Sequence, residues 1–302
     1  MNRWGIIGYG RIAKRFIENL KTTDGILYAI ASRSNSNVPS EVWYEDYEAL
    51  LCDPQVDMVY IALPHKFHYE WIKKAIEHHK PVLCEKPLVL TMQQMLDIIL
   101  LQQQYEVPVM EALKSRFIPG YLSLKKDLKT IELESIDCGF CYAIEKNNSY
   151  LFDPDQGGAL NDVGSYSIGF VLDIAKAHIK EMNSQLKMED GVDVHFKSHL
   201  VFENGIIANI EGAMDEKKEN VGILKGKKGT ITVPYFYRPS YYKIEYTNGE
   251  VVERNFDAAN DMRYEIIEMM DLVNEHRLES SRMTLEDSFK IISVMEQIRR
   301  DE

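Results

Sequence analysis

The stretch WGIIGYGRIA, residues 4–13, decides the fold that we predict for this chain. Its first four residues form a short apolar run, and Gly8-Tyr9-Gly10-Arg11-Ile12-Ala13 then fits the G-x-G-x-x-A pattern that joins a strand to a helix. Gly8 permits a tight turn, Gly10 lets the backbone approach a pyrophosphate, and Ala13 lets the helix pack closely on the strand. The helix N-terminus adds free amides and the positive end of the helix dipole. The motif favours a dinucleotide-binding unit over a glycine turn with no ligand.

Short apolar runs and amphipathic helical stretches continue to alternate after this unit. The predicted elements are the helix RIAKRFIENLKT (11–22), the strands GILYAIASRS (25–34), VDMVYIALP (56–64) and PVLCEKP (81–87), and the helix HYEWIKKAIEHH (68–79). This alternation is typical of a parallel sheet covered on both faces. We therefore predict an α/β Rossmann domain with a doubly wound parallel sheet over residues 1–118.

The pattern changes beyond Pro119, where strands dominate. VDVHFKSHL, 192–200, alternates buried-type and polar residues, which is typical of an antiparallel sheet with one polar face. Asn204-Gly205 and Asn248-Gly249 separate strand-like runs and predict type I′ hairpin turns. Helices are expected at about 261–277 and 284–300. Residues 119–302 thus read as a second, α+β domain.

Composition and charge exclude several classes of protein. The 302 residues are 45% hydrophobic and 27% charged, with a net charge of -12, which argues against a nucleic-acid partner. No apolar stretch reaches the ~20 residues that a membrane helix needs, and the first strand leaves no room for a signal peptide. The four cysteines do not form a disulfide framework. We expect a cytoplasmic protein with no membrane partner.

The end of the second strand indicates the cofactor. An acid there would bind the ribose hydroxyls of NAD, whereas an arginine accommodates a 2′-phosphate. This strand ends in Ser32-Arg33-Ser34, and the next acid is Glu41. A guanidinium between two hydroxyls suits a phosphate monoester, so the sequence favours NADP, with NAD as the alternative and a solvated loop arginine as the reading without a ligand.

Glu85, Lys86 and Pro87 follow the apolar run Pro81 to Cys84. Charged residues are seldom buried unless paired, and ligands of open α/β sheets bind beyond the carboxyl ends of the strands. We therefore expect Lys86 to face the nicotinamide of the cofactor. A structural Glu-Lys pair at the sheet edge is the alternative.

These motifs resemble the Gfo/Idh/MocA family of oxidoreductases over nearly the whole chain. The resemblance rests on the early G-x-G-x-x-A, on Leu63-Pro64 followed by His65 and His68, on E-K-P at 85–87, and on GGALNDVGSY at 157–166. It implies a Rossmann domain, then an α+β domain with a large open, mainly antiparallel sheet, and hydride transfer between NAD(P) and a sugar or cyclic polyol. It also implies that Lys86 is catalytic and that Leu63, Pro64, His65, His68 and Glu85 lie near the cofactor.

The later motif is similar to the branch that contains dimeric dihydrodiol dehydrogenase, D-xylose dehydrogenase and glucose-fructose oxidoreductase. Tyr166 stands where many members have histidine, and MEALKSRFIP, 110–119, is similar to a stretch of that branch whose arginine, here Arg116, lies near the cofactor. Gln156 replaces a glycine expected there, which weakens the inference of substrate preference.

Asp162 and Tyr166 are four residues apart on a predicted helix and so share a face. Hydride transfer to a carbonyl leaves an alkoxide that needs a proton, and Tyr166 is our candidate donor. Lys86 would lower the pKa of that phenol and stabilise the oxyanion, while Asp162 would orient the sugar or the lysine. No metal site is predicted.

The leading hypothesis is therefore an NAD(P)-dependent oxidoreductase acting on a sugar, aldose or related polyol or diol. One alternative keeps the nucleotide tightly bound and cycles it between two sugars, and another is a nucleotide-sensing regulatory protein that has lost its chemistry. An open sheet with one uncovered face predicts a homodimer or homotetramer, with TITVPYFYRPSYY, 230–242, as contact surface.

Overall fold

The structure is a computed structural model that describes residues 2–34, 38–146, 149–257 and 259–300. It divides into two compact units. Unit 1 comprises Met1–Lys114 and Asn260–Phe289, and unit 2 comprises Ser115–Ala259 and Lys290–Glu302. The first boundary falls near the predicted one, at residue 114 instead of 118. The chain then returns to unit 1 near its end, which differs from the predicted continuous second domain.

Unit 1 is built on a parallel sheet of six strands in the order β3-β2-β1-β4-β5-β6. This order is that of a doubly wound dinucleotide-binding fold. The strands are β1 (Arg3–Ile7), β2 (Ile26–Ala31), β3 (Val42–Tyr44), β4 (Met58–Ile61), β5 (Val82–Glu85) and β6 (Val109–Ala112). The helices of the first segment are α1 (Arg11–Leu20), α2 (Tyr47–Cys52), α3 (His68–Glu77) and α4 (Met92–Tyr105).

Apolar side chains explain why residues 260–289 belong to unit 1. Leu285 and Phe289 join the same buried cluster as Val109 and Ile98. The amide of Met262 also donates a hydrogen bond to the side chain of Asn19 at 3.1 Å. The hydrophobic periodicity of a helix shows that one face is buried but does not show against which partner, so the sequence alone did not reveal this return.

Unit 2 contains an eight-stranded sheet in the order β14-β13-β12-β11-β7-β10-β9-β8. Its neighbouring strands are antiparallel except for the parallel pair of β7 and β10. The strands are β7 (Leu133–Cys141), β8 (Ile179–Glu189), β9 (Val192–Phe202), β10 (Ile207–Ala213), β11 (Val221–Gly226), β12 (Gly229–Pro234), β13 (Tyr241–Tyr246) and β14 (Val251–Asn255). The helices are α5 (Pro119–Asp127) and α6 (Ser165–Ala175), and α6 packs on β7 and β10.

Two helices end the chain, α7 (Arg263–Asn274) in unit 1 and α8 (Leu285–Arg300), which has residues in both units. Both lie where the periodicity predicts them, within a few residues at each end. Within the described residues, no helix is both long enough and apolar enough to span a lipid bilayer.

The two Asn-Gly hairpins differ from the predicted type I′ turns. Gly205 and Gly249 have φ of 85° and 90°, whereas Asn204 and Asn248 keep negative φ. The Asn204 side chain accepts from the amide of Ile206 at 3.2 Å, and Asn248 makes the equivalent bond. Because the asparagine is bonded to the backbone two residues on, one left-handed glycine completes each turn. The prediction of type I′ geometry is therefore wrong, although the hairpins themselves form where expected.

Candidate active site

Gly8 and Gly10 form the turn between β1 and α1 in the way that the motif predicts. Gly8 has φ of 95°, and a Cβ placed on it would lie 2.5 Å from the carbonyl oxygen of Ala62. A Cβ placed on Gly10 would meet no atom of the described chain within 4 Å. Gly10 is the N-cap of α1 and has no side chain, so no side chain of this residue caps the first amides of the helix. Ala13 is fully buried against the sheet, so the turn fits the pyrophosphate of a dinucleotide.

Arg11 and Ile12 begin α1 beside this space. Arg11 is exposed and Ile12 is half-buried, whereas Ala13, Phe16 and Ile17 farther along the helix are buried. Their contact with a bound pyrophosphate stays a prediction.

The three residues after β2 have distinct places. The Ser32 hydroxyl donates to the Ser34 carbonyl at 2.7 Å and accepts from the indole N–H of Trp43 at 3.1 Å. Ser32 is only 6% exposed, whereas Arg33 and Ser34 are exposed. Ser32 thus shapes the loop, and Arg33 and Ser34 are the members of the predicted set that a nucleotide phosphate could contact. The sequence did not predict that Trp43 would bond this loop.

The loop after β4 lies at the same edge of the sheet. Leu63 and Pro64 are half-buried there, and His65 is 4% exposed. His68 has no exposed surface, and one ring nitrogen lies 2.8 Å from the Leu63 carbonyl oxygen. Burial lowers the pKa of His68 although carbonyl oxygens face its ring nitrogens. The structure thus gives His68 a supporting place in this loop, and its place near the cofactor stays a prediction.

The backbone around Lys86 is anchored after the lysine. The second ring nitrogen of His68 lies 2.8 Å from the carbonyl oxygen of Pro87. The amide of Leu88 donates to the buried carboxylate of Glu111 on β6 at 3.1 Å. These bonds fix the turn that follows Lys86.

The backbone is also anchored before the lysine, at the last residue of β5. The hydroxyl of Tyr60 on β4 donates to the Glu85 carboxylate. The Tyr60 ring stacks on Phe16 of α1, with 3.8 Å between the ring centroids. Burial raises the pKa of Glu85, against the opposing effects of Tyr60 and Lys86. Half-buried Lys86 therefore projects from a fixed backbone at the carboxyl edge of the sheet.

A second buried acid lies close enough to Glu85 for their charges to interact. Glu265 of α7 has no exposed surface, and neither of its oxygens has a hydrogen-bond partner among the described residues. Burial, and then the charge of Glu85, raise the pKa of Glu265 well above the ordinary glutamate value. Nearby Asp261 is paired with Lys114 at 3.4 Å. The only hint in the sequence is that Glu265 has helical spacing with the apolar Met269 of the same face.

Asp162 and Tyr166 mark one face of the helical segment in unit 2. Asp162 lies on a π-helical turn, Leu160–Gly164, which leads directly into α6, where Tyr166 lies. From Gln156 to Val171, every residue is buried except these two, which are half-buried. The predicted shared face is therefore present, although its first turn is π-helical instead of α-helical.

Aromatic side chains of unit 2 surround this pair. The Tyr142 hydroxyl donates to the Asp162 carboxylate. The Tyr166 ring lies 5.7 Å from Phe140 and 5.8 Å from Tyr237, and these two rings stack with centroids 3.9 Å apart. Tyr142 follows β7 and Tyr237 lies in the turn between β12 and β13, so no local motif predicts that they surround Asp162 and Tyr166.

Arg116, whose place near the cofactor stays a prediction, has a buried side chain that is bonded within unit 2. Its guanidinium is 3% exposed, pairs with Asp173 at 3.0 Å and donates to the Gly169 carbonyl at 3.0 Å. Burial alone would raise the pKa of Asp173, but Arg116, Lys125 and Tyr121 together lower it. Arg116 therefore acts as a buried structural cation of unit 2 in this structure.

Comparison with known proteins agrees with both halves of this architecture. Residues 2–113 match an oxidoreductase family described as having an NAD-binding Rossmann fold, and residues 132–232 match the GFO/IDH/MocA C-terminal domain. The chain belongs to the Gfo/Idh/MocA oxidoreductase family. The predicted family and fold class are thus confirmed.

Individual relatives of this Gfo/Idh/MocA protein match it from end to end. It is 27% identical over 322 residues to trans-1,2-dihydrobenzene-1,2-diol dehydrogenase of Xenopus tropicalis, covering 98% of this chain and 96% of the relative. It is 28% identical over 320 residues to scyllo-inositol 2-dehydrogenase (NADP(+)) IolU of Bacillus subtilis (strain 168), covering 99% and 97%. The solved structure of KijD10, a 3-ketoreductase from Actinomadura kijaniata in complex with NADP and TDP-benzene, has a TM-score of 0.90 at 24% identity, covering 99% of this chain and 97% of that chain. The last likeness shows the fold alone.

Proposed function

We propose that this Gfo/Idh/MocA protein is an NADP-dependent oxidoreductase that transfers a hydride between nicotinamide and a CH–OH or carbonyl carbon of a sugar, cyclic polyol or diol. The observation that carries the proposal is the carboxyl edge of the unit 1 sheet. Gly10, with open space beside it, follows β1, and Lys86 follows β5. In the order of the sheet, β5 lies two strands from β1. A dinucleotide site and an amine at one sheet edge suit hydride chemistry beside a bound cofactor.

The names of the relatives support the substrate class. The frog relative is named for a cyclic diol and the bacterial relative for an inositol with NADP. Both substrates carry vicinal hydroxyl groups on a ring. The exposed Arg33 after β2 supports NADP over NAD, since a guanidinium binds a phosphate monoester.

When NADPH is bound, its nicotinamide supplies the hydride. In our proposal Tyr166 donates a proton to the alkoxide that forms at the carbonyl oxygen, and it removes that proton in the reverse direction. The ammonium group of Lys86 stabilises the developing negative charge. Asp162, held by the Tyr142 hydroxyl, accepts a hydrogen bond from a neighbouring substrate hydroxyl and so orients the ring.

A screen of aldoses, inositols and cyclic diols with NADP, monitored by nicotinamide absorbance, would test this function. On a working substrate, Lys86→Met and Tyr166→Phe should each lower kcat/KM by roughly 10²- to 10⁴-fold while NADP binding is retained. Lys73→Met on α3 and Tyr105→Phe on α4 serve as matched controls. Near-wild-type turnover by both site variants would refute the residue roles. Tight NADP binding without turnover of any compound would favour a sensor instead.

We also propose that the chain forms a homodimer or homotetramer through the polar face of the unit 2 sheet. His195 on this face lies 2.6 Å from Glu211 and 3.3 Å from Asp215, and all three are partly buried. Tyr235, in the predicted contact segment, is 53% exposed. Light scattering after size exclusion would give the mass, and a monomer at micromolar concentration would contradict the proposal.

We also propose that the protein is located in the cytoplasm, which cell fractionation would test.

A further inference from the structure

Trp43 connects β3 to the loop that follows β2. In the parallel register, Trp43 pairs with Ile30 and Tyr44 pairs with Ala31. Side chains two residues apart on a strand point to the same face, so Ser32 lies on the face of Ile30, one step nearer the sheet edge. The indole of Trp43 reaches forward along that face, and its N–H donates to the Ser32 hydroxyl at 3.1 Å.

Ser32 passes this constraint to the rest of the loop. Its hydroxyl donates to the carbonyl of Ser34 at 2.7 Å, and its amide donates to the carbonyl of Tyr44 at 3.0 Å. These bonds tie the residues on both sides of Arg33 to β3 or to each other. Since Ser32 is 6% exposed, its hydroxyl is committed to the loop.

The loop presents a cation where many dinucleotide-binding proteins present an acid. Glu41 is the first acid in the sequence after β2, and the register places it level with Tyr28. Tyr28 lies three residues, or ~10 Å, before the end of the strand. The Glu41 carboxylate therefore lies too far from the end of β2 to bind ribose hydroxyls there. Arg33 is then the charged residue that determines the preference for NADP over NAD.

We propose that Trp43 is a specificity-determining residue, whose indole N–H acts through Ser32 to hold the Arg33 backbone in position for the 2′-phosphate of NADP. The role is one of positioning, because Trp43 need not touch the nucleotide. Without its bond the loop gains freedom that phosphate binding must remove again. NAD has no 2′-phosphate, so its binding does not depend on that order. The inference rests on the proposed use of NADP but not on the proposed catalytic residues.

Isothermal titration of the purified full-length chain with NADP, NAD and adenosine 2′,5′-bisphosphate tests this role. Trp43→Phe keeps an aromatic ring but loses the donor, and Ser32→Ala removes the hydroxyl that links the two segments. A neutral hydrogen bond of ordinary strength corresponds to roughly threefold to tenfold in affinity. In each variant the affinities for NADP and for the bisphosphate should therefore fall by that factor, whereas the affinity for NAD should stay within twofold of the wild-type value.

Tyr44→Phe is the matched control, since Tyr44 is the next residue of β3 and its hydroxyl donates to Asp53 at 2.8 Å, away from the loop. It should change neither affinity. Thermal melts without nucleotide would show that the variants are folded.

If Trp43→Phe lowered the affinities for NADP and NAD equally, Trp43 would have only a structural role and the inference would be overturned. An unchanged ratio of the two affinities in both variants would overturn it as well. A wild-type protein that binds NAD more tightly than NADP would refute the cofactor preference itself, and the inference with it. A loss of NADP preference in both variants, but not in Tyr44→Phe, supports it.

Discussion

Replacing Glu265 by methionine should stabilise the protein, although it removes an ionisable residue from the fold. Glu265 is fully buried, and neither carboxylate oxygen has a hydrogen-bond partner among the described residues. A buried polar group without a partner costs about 1–3 kcal/mol, and methionine is an unbranched, flexible side chain of similar length. We expect a gain of about 2 kcal/mol in the free energy of unfolding. For a cooperative unit of about 150 residues this corresponds to a rise of roughly 4–8 °C in melting temperature.

The gain should depend on pH with a definite sign. The pKa of Glu265 is raised well above that of the unfolded chain, which is about 4.3. Between these two pKa values the folded state binds more protons than the unfolded state, so stability falls as pH rises. The stabilising effect of the protonated form is complete below pH ~4 and is lost as pH rises towards the folded pKa. Because methionine does not titrate, its advantage over glutamate should be larger at pH 8 than at pH 5.

Glu268 on the same helix provides a matched control. It accepts from the Ser280 hydroxyl at 2.8 Å and pairs with Arg282 at 3.2 Å and Arg277 at 3.5 Å. Glu268→Met should therefore destabilise the protein, since it leaves these donors without their acceptor. Thermal and urea melts of both variants at pH 5 and pH 8 provide the comparison. If Glu265→Met lowered the melting temperature at both pH values, Glu265 would have to be an ion with a partner, and the reasoning would be refuted.

Three further predictions concern the two units separately. Gly10→Ala should leave the melting temperature of the free protein unchanged but weaken the binding of NADP in a titration. Gly8→Ala should lower the melting temperature, because its Cβ would lie 2.5 Å from a carbonyl oxygen. Tyr142→Phe should lower kcat/KM by roughly tenfold with little change in stability, since it removes one donor from Asp162; an unchanged kcat/KM would contradict the assigned role. Asp173→Ala should destabilise unit 2 by about 3–5 kcal/mol in urea melts, because it leaves a buried arginine unpaired, and a loss below 1 kcal/mol would argue against that pair.

The parts of the fold that local patterns encode could be predicted from the sequence. The turn at Gly8 and Gly10 and the polar face of β9 follow from residue type and spacing over a few positions. The return of residues 260–289 to unit 1 could not be predicted in this way, because the amphipathic pattern of a helix does not show on which surface the helix packs. The Asn-Gly turns fall between these cases. Their positions follow from the sequence, but their backbone geometry depends on hydrogen bonds made by the asparagine side chains.

Two residues that the sequence places near the cofactor make supporting bonds in the structure, which their motifs did not predict. His68 and Arg116 both belong to stretches that resemble the family, and both have buried side chains bonded to carbonyl oxygens or a carboxylate. A motif records that a residue type recurs at a position. It does not distinguish a side chain that contacts a ligand from one that fixes the loop beside it.

In our proposal Lys86 is a catalytic residue, and supporting bonds of this kind hold its backbone. A catalytic group has to be held within about 0.5 Å of its working position, yet Lys86 has a long side chain on a loop. The structure fixes its backbone instead, through Tyr60 on one side and His68 and Glu111 on the other. These anchors lie on β4, α3 and β6, 25, 19 and 23 residues from their partners, so no local pattern could link them to the E-K-P turn. The turn is encoded locally, but its rigidity comes from buried side chains that only the folded sheet brings together.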